Sequence, residues 1–189
     1  MNQIYIYDGA FERGDSGWGL VREAAARYGW EEKLPYDFET AEIYRTEKGK
    51  PFFADVPVAF SLSHSGIMWM CMFSAKPCGL DLQVVEEERD WQGISRRLYD
   101  AAEQHYVQLW GIEGFYDIWV RKEAFGKCTG QGIFSGMPSM VDENFELCTE
   151  LNYDGVTYAL EEVTIMPEVK CAYCIAGEDR ETAELRVLG

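Results

Sequence analysis

Positive charge is scarce in this chain: 17 Lys and Arg stand against 33 Asp and Glu over 189 residues, only two histidines are present, and the formal net charge at pH 7 is −16. Nucleic acids and anionic membranes are held chiefly by clustered Lys and Arg, so neither is expected as a partner. Long apolar runs are also missing. No stretch approaches the ~20 residues that span a bilayer, and Met1 to Asp8 lacks the basic start and apolar core of a secretory leader. A cytoplasmic location is therefore expected. The six cysteines, at 71, 78, 128, 148, 171 and 174, are scattered through a chain long enough to fold without cross-links, which argues for reduced thiols. Only Cys171 and Cys174 are suggestively spaced, but no second pair and no His-rich segment accompanies them. In a strand over Val169 to Ala176 they would face opposite sides. Low-complexity segments are absent, and so is a Gly-x-Ser-x-Gly elbow. A hydrolase built on Ser63 or Ser65 with His64 or His105 thus lacks both a seat for its nucleophile and an identifiable acid partner.

What is present is an apolar fraction of 47%, ample for a packed core. Ile4 to Tyr7 reads as a strand, and Gly17 to Tyr28 as a helix ended by Gly29, with Leu20, Val21, Ala24 and Tyr28 on its apolar face. A strand at Ile43 to Thr46 runs into the turn residues Glu47-Lys48-Gly49-Lys50-Pro51. Val58 to Ser63, Ile67 to Ser74 and Cys78 to Val85 then read as three strands with links short enough for a meander. Helical spacing takes over at Trp91 to Trp110 and Gly114 to Cys128. Strands return at Phe145 to Tyr153 and Val156 to Glu162 around an Asp154-Gly155 hairpin turn, and at Val169 to Ala176. The class expected is α+β, with antiparallel strands and helices in each of two lobes, 1–77 and 78–189.

Three segments could carry chemistry. In the helix from Phe115 to Lys127, Trp119, Lys122, Glu123 and Lys127 fall within an arc of roughly 140° at ~100° per residue. That face presents an aromatic plate, two cations and a carboxylate, although a solvated face with a Glu123–Lys127 pair would look the same. Asp81 lies inside an apolar strand, Cys78-Gly79-Leu80-Asp81-Leu82-Gln83. A half-buried carboxylate needs a partner or a metal. Converging with Glu123 it would make the hard oxygen pair that suits Mg²⁺ among phosphates and water; alone it would more commonly cap a turn or pair with Arg. Phe60-Ser61-Leu62-Ser63-His64-Ser65-Gly66 ends a strand in short donors suited to an anion, or is simply a polar strand end.

Gly49-Lys50-Pro51, Phe60 to Gly66, Gly79-Leu80-Asp81-Leu82 and Trp119-Val120-Arg121-Lys122-Glu123-Ala124-Phe125-Gly126-Lys127 with Gly130 and Gly132, in this order, resemble the signature of the 4′-phosphopantetheinyl transferase superfamily. The likeness is closer to its Sfp-like two-lobed branch than to the short trimeric holo-synthases, and is thin before residue 40. It implies two similar lobes related by a pseudo-twofold axis, a site in the cleft between them, and a monomer. The activity implied is Mg²⁺-dependent transfer of the phosphopantetheine arm of coenzyme A to a serine of an apo acyl or peptidyl carrier protein, with release of 3′,5′-ADP.

By the same resemblance Asp81 and Glu123 would be the metal ligands, and Gln83 stands where many members carry a third carboxylate. Lys50, Ser63, His64, Lys122 and Lys127 would be the contacts to coenzyme A phosphates, with Lys127 also part of the catalytic machinery. Glu103, or else a metal-bound hydroxide or water relay, would be the base that takes the serine proton. Arg13 or Arg22 would meet the 3′-phosphate, and Ile133, Phe134 and Met137 would form an apolar patch meeting the carrier. Retention of Asp81, Glu123 and Lys127 favours an active enzyme; Gln83 and the acidic surface favour a weakened relative that only binds coenzyme A or a carrier.

Overall fold

The computed structural model describes residues 1–12, 17–133, 136–177 and 182–189. In chain order, β1 (Gln3–Tyr7) precedes α1 (Trp18–Glu31), and β2 (Ile43–Arg45) pairs with β3 (Pro51–Phe53) as a small hairpin. Next come β4 (Ala59–Ser65), β5 (Met68–Ser74) and β6 (Cys78–Val84), then the helices α2 (Trp91–Leu98) and α3 (Ala101–Thr129). The chain closes with β7 (Glu150–Tyr153), β8 (Val156–Glu162), β9 (Val169–Ala176) and β10 (Glu184–Leu188). Two four-stranded sheets result, ordered β10-β1-β5-β4 and β6-β9-β8-β7. The class is α+β as expected. No described helix is long and apolar enough to cross a membrane.

Burial follows the two-residue period of the strands. In β5, Trp69, Cys71 and Phe73 face one core with Val21, Ala24 and Tyr28 of α1. Met70 and Met72 face the other way, onto a second core that includes Leu80, Leu82, Cys171, Tyr173 and Ile175. The opposite face of the second sheet, with Leu160 and Cys174, packs against Phe115, Ile118, Ala124 and Phe125 of α3. The layers therefore run α1, first sheet, second sheet, α3. Cys171 and Cys174 do lie on opposite faces of β9.

Five expectations need correction. β6 is not the third strand of a meander: it leaves β5 and pairs with β9. Contact between β4 and β6 is made by side chains, as the hydroxyls of Ser61, Ser63 and Ser65 accept from the amides of Leu80, Leu82 and Val84 at 3.0, 3.2 and 3.0 Å. The helix expected over Trp91 to Trp110 is broken at Tyr99-Asp100, where Asp100 caps α3 through a reciprocal box with Glu103. The expected gap near residue 111 is instead a kink inside α3 at Gly111 (φ 61°, ψ −138°). Gly29 does not end α1, which runs on to Glu31; a Cβ there would lie 2.3 Å from the Phe38 ring, so close packing accounts for the glycine. Finally, only Glu150–Tyr153 of the expected strand from Phe145 is formed; the Asp154-Gly155 turn is as read, with positive φ at both residues.

The passage from first sheet to second falls at residues 75–77, and β10 then returns to the first sheet by pairing parallel with β1.

Candidate active site

Gly79 is the residue on which the site depends. A Cβ there would lie 1.9 Å from the Ala124 carbonyl oxygen and 2.4 Å from the Cys128 nitrogen. Without one, the last turns of α3 lie directly on β6. Alternation along β6 then points Asp81, two residues on, toward the same helix.

Asp81 is 2% exposed. Its Oδ1 accepts from Lys127 Nζ at 2.7 Å and from Ser63 Oγ at 2.8 Å, while Gln83 Nε2 donates to Oδ2 at 3.2 Å. Lys127 also donates to the Leu80 carbonyl of β6 at 2.9 Å and to the Leu62 carbonyl of β4 at 3.4 Å, so it spans the seam between the sheets. Glu123 faces the same group. Burial first, and the Asp81 carboxylate second, hold its carboxyl above the ordinary range, with Lys127 and Arg89 pulling the other way. Arg89 is fixed over the Trp119 ring at 4.7 Å.

Two hard carboxylates within electrostatic reach, one of them under-compensated, suit a divalent ion that takes oxygen ligands. Among the described residues no group of three or more His, Cys, Asp and Glu side chains converges. Such an ion would therefore draw its other ligands from phosphate, water or the Gln83 carbonyl, which is how Mg²⁺ is commonly held.

Beside this pair opens a cavity of about 450 Å³ lined by Arg45, Lys48, Lys50, His64 and Lys127, with Trp18 and Ser61 in its wall. No Asp or Glu is among its described lining residues. In a chain of net charge −16, this is a local reversal of sign. Lys50 is tied to the floor, donating to the carbonyls of Cys78 at 3.1 Å and Cys128 at 2.9 Å. Arg45 is held over the Trp18 ring at 5.2 Å and donates to the Gly49 carbonyl at 2.8 Å. His64 is exposed, its ring 4.9 Å from Phe11. The structure thus brings Lys50, His64 and Lys127 to one cavity wall, together with Arg45, Lys48 and Trp18.

Other candidates lie elsewhere. The Ser63 hydroxyl is buried, donating to Asp81 and accepting from Leu82; Ser61 lines the cavity instead. Arg22 donates to the carbonyls of Glu39 and Ala41 at 2.9 and 2.7 Å and does not line the cavity. Arg13 and Phe134 lie outside the described residues. Lys122 points away from Lys127, with its Nζ 2.8 Å from Glu103 Oε1 and both side chains buried. Glu103 is 0% exposed. Its Oε1 also accepts from the Met140 amide at 2.9 Å and its Oε2 from the Asp100 amide at 3.0 Å. These two line a separate cavity of about 270 Å³ with Arg97, Tyr99 and Met137.

The family model of the 4′-phosphopantetheinyl transferase superfamily matches residues 77–163, from the start of β6 through α3 and β8. The chain is 28% identical over 170 residues to 4′-phosphopantetheinyl transferase Sfp of Bacillus subtilis, covering 85% of this chain and 72% of that one. It is 29% identical over 143 residues to 4′-phosphopantetheinyl transferase ffp of Bacillus subtilis, covering 70% and 62%. To 4′-phosphopantetheinyl transferase AcpT of Escherichia coli K12 it is 33% identical over 95 residues, 47% of this chain and 49% of that one. The Asp81–Lys127–Glu123 cluster lies inside the matched span, and over most of its length the chain is similar to the Sfp-like 4′-phosphopantetheinyl transferases.

Proposed function

We propose that the protein, acting as a cytoplasmic monomer, transfers the 4′-phosphopantetheine arm of coenzyme A to a serine of an apo acyl or peptidyl carrier protein, releasing 3′,5′-ADP in a Mg²⁺-dependent reaction. The observation that carries this reading is the meeting of Asp81, Glu123 and Lys127 at the edge of a cavity lined by four cationic side chains and His64.

Asp81 and Glu123 would hold the ion, with the Gln83 carbonyl a further oxygen within the same strand. Bound there, Mg²⁺ would neutralise charge on the pyrophosphate. Phosphoryl transfer is governed by positioning and charge neutralisation, and the chain supplies both. Ser63 and Lys127 fix the Asp81 carboxylate from two sides. Lys127, 30% exposed, presents its ammonium to the cavity as well and would meet a phosphate oxygen there. Lys50, anchored on two carbonyls, gives a positive charge that cannot swing away. Arg45, Lys48 and His64 stand farther along the wall and suit the remaining phosphate of the nucleotide, with Trp18 offering an aromatic surface.

Glu103 is the carboxylate expected to take the serine proton. With both oxygens engaged by two amides and Lys122, its part is to hold the start of α3 and the segment at Met140 in register beside the carrier-facing cavity. Intact-mass measurement of an apo carrier protein incubated with coenzyme A and Mg²⁺ tests the proposal. A mass increase equal to one phosphopantetheine arm, abolished by chelator, is expected. Coenzyme A binding without any mass increase would leave a binding relative instead.

A further inference from the structure

β9 places Cys174 directly opposite Gly79, and the space a Gly79 side chain would need is taken by the backbone of Cys128. The same glycine that seats α3 on the sheet therefore sets Cys128 and Cys174 in one core, each acting on the other's thiol through a side-chain hydrogen bond. Cys128 Sγ also lies 3.3 Å from the Pro77 carbonyl oxygen. Although only 3% exposed, Cys128 forms part of the wall of a second cavity, about 420 Å³, shared with Lys48, Lys50, Thr129 and Gly130. Lys50 donates to the Cys128 carbonyl at 2.9 Å, so a fixed positive charge stands beside this thiol.

We propose that Cys128 and Cys174 form a redox-active dithiol, open to small disulfides through the cavity beneath the β2–β3 turn and closing to an intramolecular disulfide. The two thiols are poised differently. The bond from Cys174, then Lys50 and the Ala176 amide, bring Cys128 below the ordinary thiol range against the opposing pull of burial. Cys174, enclosed by protein, is pushed well above it by burial. Cys128, on the cavity wall, is the attacking sulfur, and Cys174, 0% exposed and away from that wall, is the resolving one.

The exchange balances. Cys128 thiolate attacks one sulfur of R–S–S–R, forming Cys128–S–S–R and releasing RS⁻. Cys174 sulfur then attacks the Cys128 sulfur, forming the Cys128–Cys174 bond and releasing a second RS⁻. The two thiol protons leave on two RSH, so the dithiol loses two electrons and the small disulfide gains them. The remaining cysteines are placed differently. Cys71 and Cys171 lie in other cores, Cys78 is fully buried with its thiol pushed up to about 12, and half-buried Cys148 is raised, chiefly by burial. Closure would tie the helix end carrying Lys127 to β9, one residue from the ammonium that holds Asp81.

The test is to treat the native protein with oxidised glutathione, block free thiols, digest without reduction and identify linked peptides by mass. A Cys128–Cys174 cross-link, the loss of two free thiols and reversal by reductant are expected. Cys174→Ser should stop at one glutathione on Cys128, and Cys128→Ser should give neither product, with circular dichroism confirming that each variant is folded. Preferential modification of Cys148, or wild-type Cys128 left unmodified by glutathione disulfide that modifies the denatured chain, would overturn the proposal.

Discussion

At the residue scale the argument turns on Glu123. A carboxyl raised in the folded state adds stability below its unfolded value and loses that contribution as pH rises through the folded one. In metal-free protein, Glu123→Gln should therefore raise the melting temperature at neutral pH and leave it unchanged near pH 4. Mg²⁺ should raise the melting temperature of the wild type at neutral pH and have no such effect on the variant; thermal melts with chelator and with Mg²⁺ read both effects. Transfer by Asp81→Asn or Glu123→Gln should fall by about 10²-fold or more, the usual loss when a charge-stabilising group is removed. Glu103→Gln behaves differently. It leaves Lys122 buried without a counter-charge, so unfolding free energy should drop by about 3–5 kcal/mol. The pH profile of single-turnover transfer should stay as in the wild type; loss of one limb of that profile would make Glu103 the base. Arg45→Ala removes a charge-assisted contact worth about 1.5–3 kcal/mol. The KM for coenzyme A should rise by roughly tenfold or more with kcat little changed, and the preference for coenzyme A over its 3′-dephospho form should narrow in steady-state kinetics.

At the scale of elements, the seam between β4 and β6 is held by serine hydroxyls rather than a backbone ladder. Ser61→Ala strands the amide of fully buried Leu80 and should cost about 1–3 kcal/mol, whereas Ser65→Ala strands that of half-buried Val84 and should cost less. Urea denaturation ranks the two. Along this seam the sequence was legible for chemistry and poorly legible for pairing. Asp81 inside an apolar strand and Trp119 to Lys127 on one helical face signal themselves, because burying a carboxylate or clustering charge on a helix needs a reason within a few residues. That β6 would desert β5 for β9 depends on a strand some 90 residues later, which local spacing cannot encode. The break at Tyr99-Asp100 had a local signal, Asp100 with Glu103 three residues on, which is a capping box within a continuous helical period. Arg45 and Lys48 had none, since a cation in a short exposed hairpin reads as solvated until the wall opposite is known. Lys122 matched the family motif, yet it lies five residues before Lys127, about 140° around the helix, and that rotation places it against Glu103.

For the whole molecule, the net charge of −16 opposes approach by any acidic partner, while the cationic lining of the cavity would attract phosphate at short range. These act over different distances. Repulsion between two acidic proteins is felt across the ~30 Å screening length of 10 mM salt and is largely quenched at the ~8 Å of physiological salt. Contacts between a bound phosphate and Lys50 or Lys127 operate within a few ångströms, where screening enters mainly through competing anions. The two substrates should therefore respond to salt with opposite sign. Raising ionic strength over that range should increase kcat/KM for an acidic apo carrier, as encounter becomes easier, while weakening equilibrium binding of 3′,5′-ADP. Stopped-flow transfer and calorimetric titration at matched salt read the two trends. Parallel weakening of both would mean that a basic carrier-facing surface outweighs the acidic field, with Arg96 and Arg97 of α2 the first residues to neutralise.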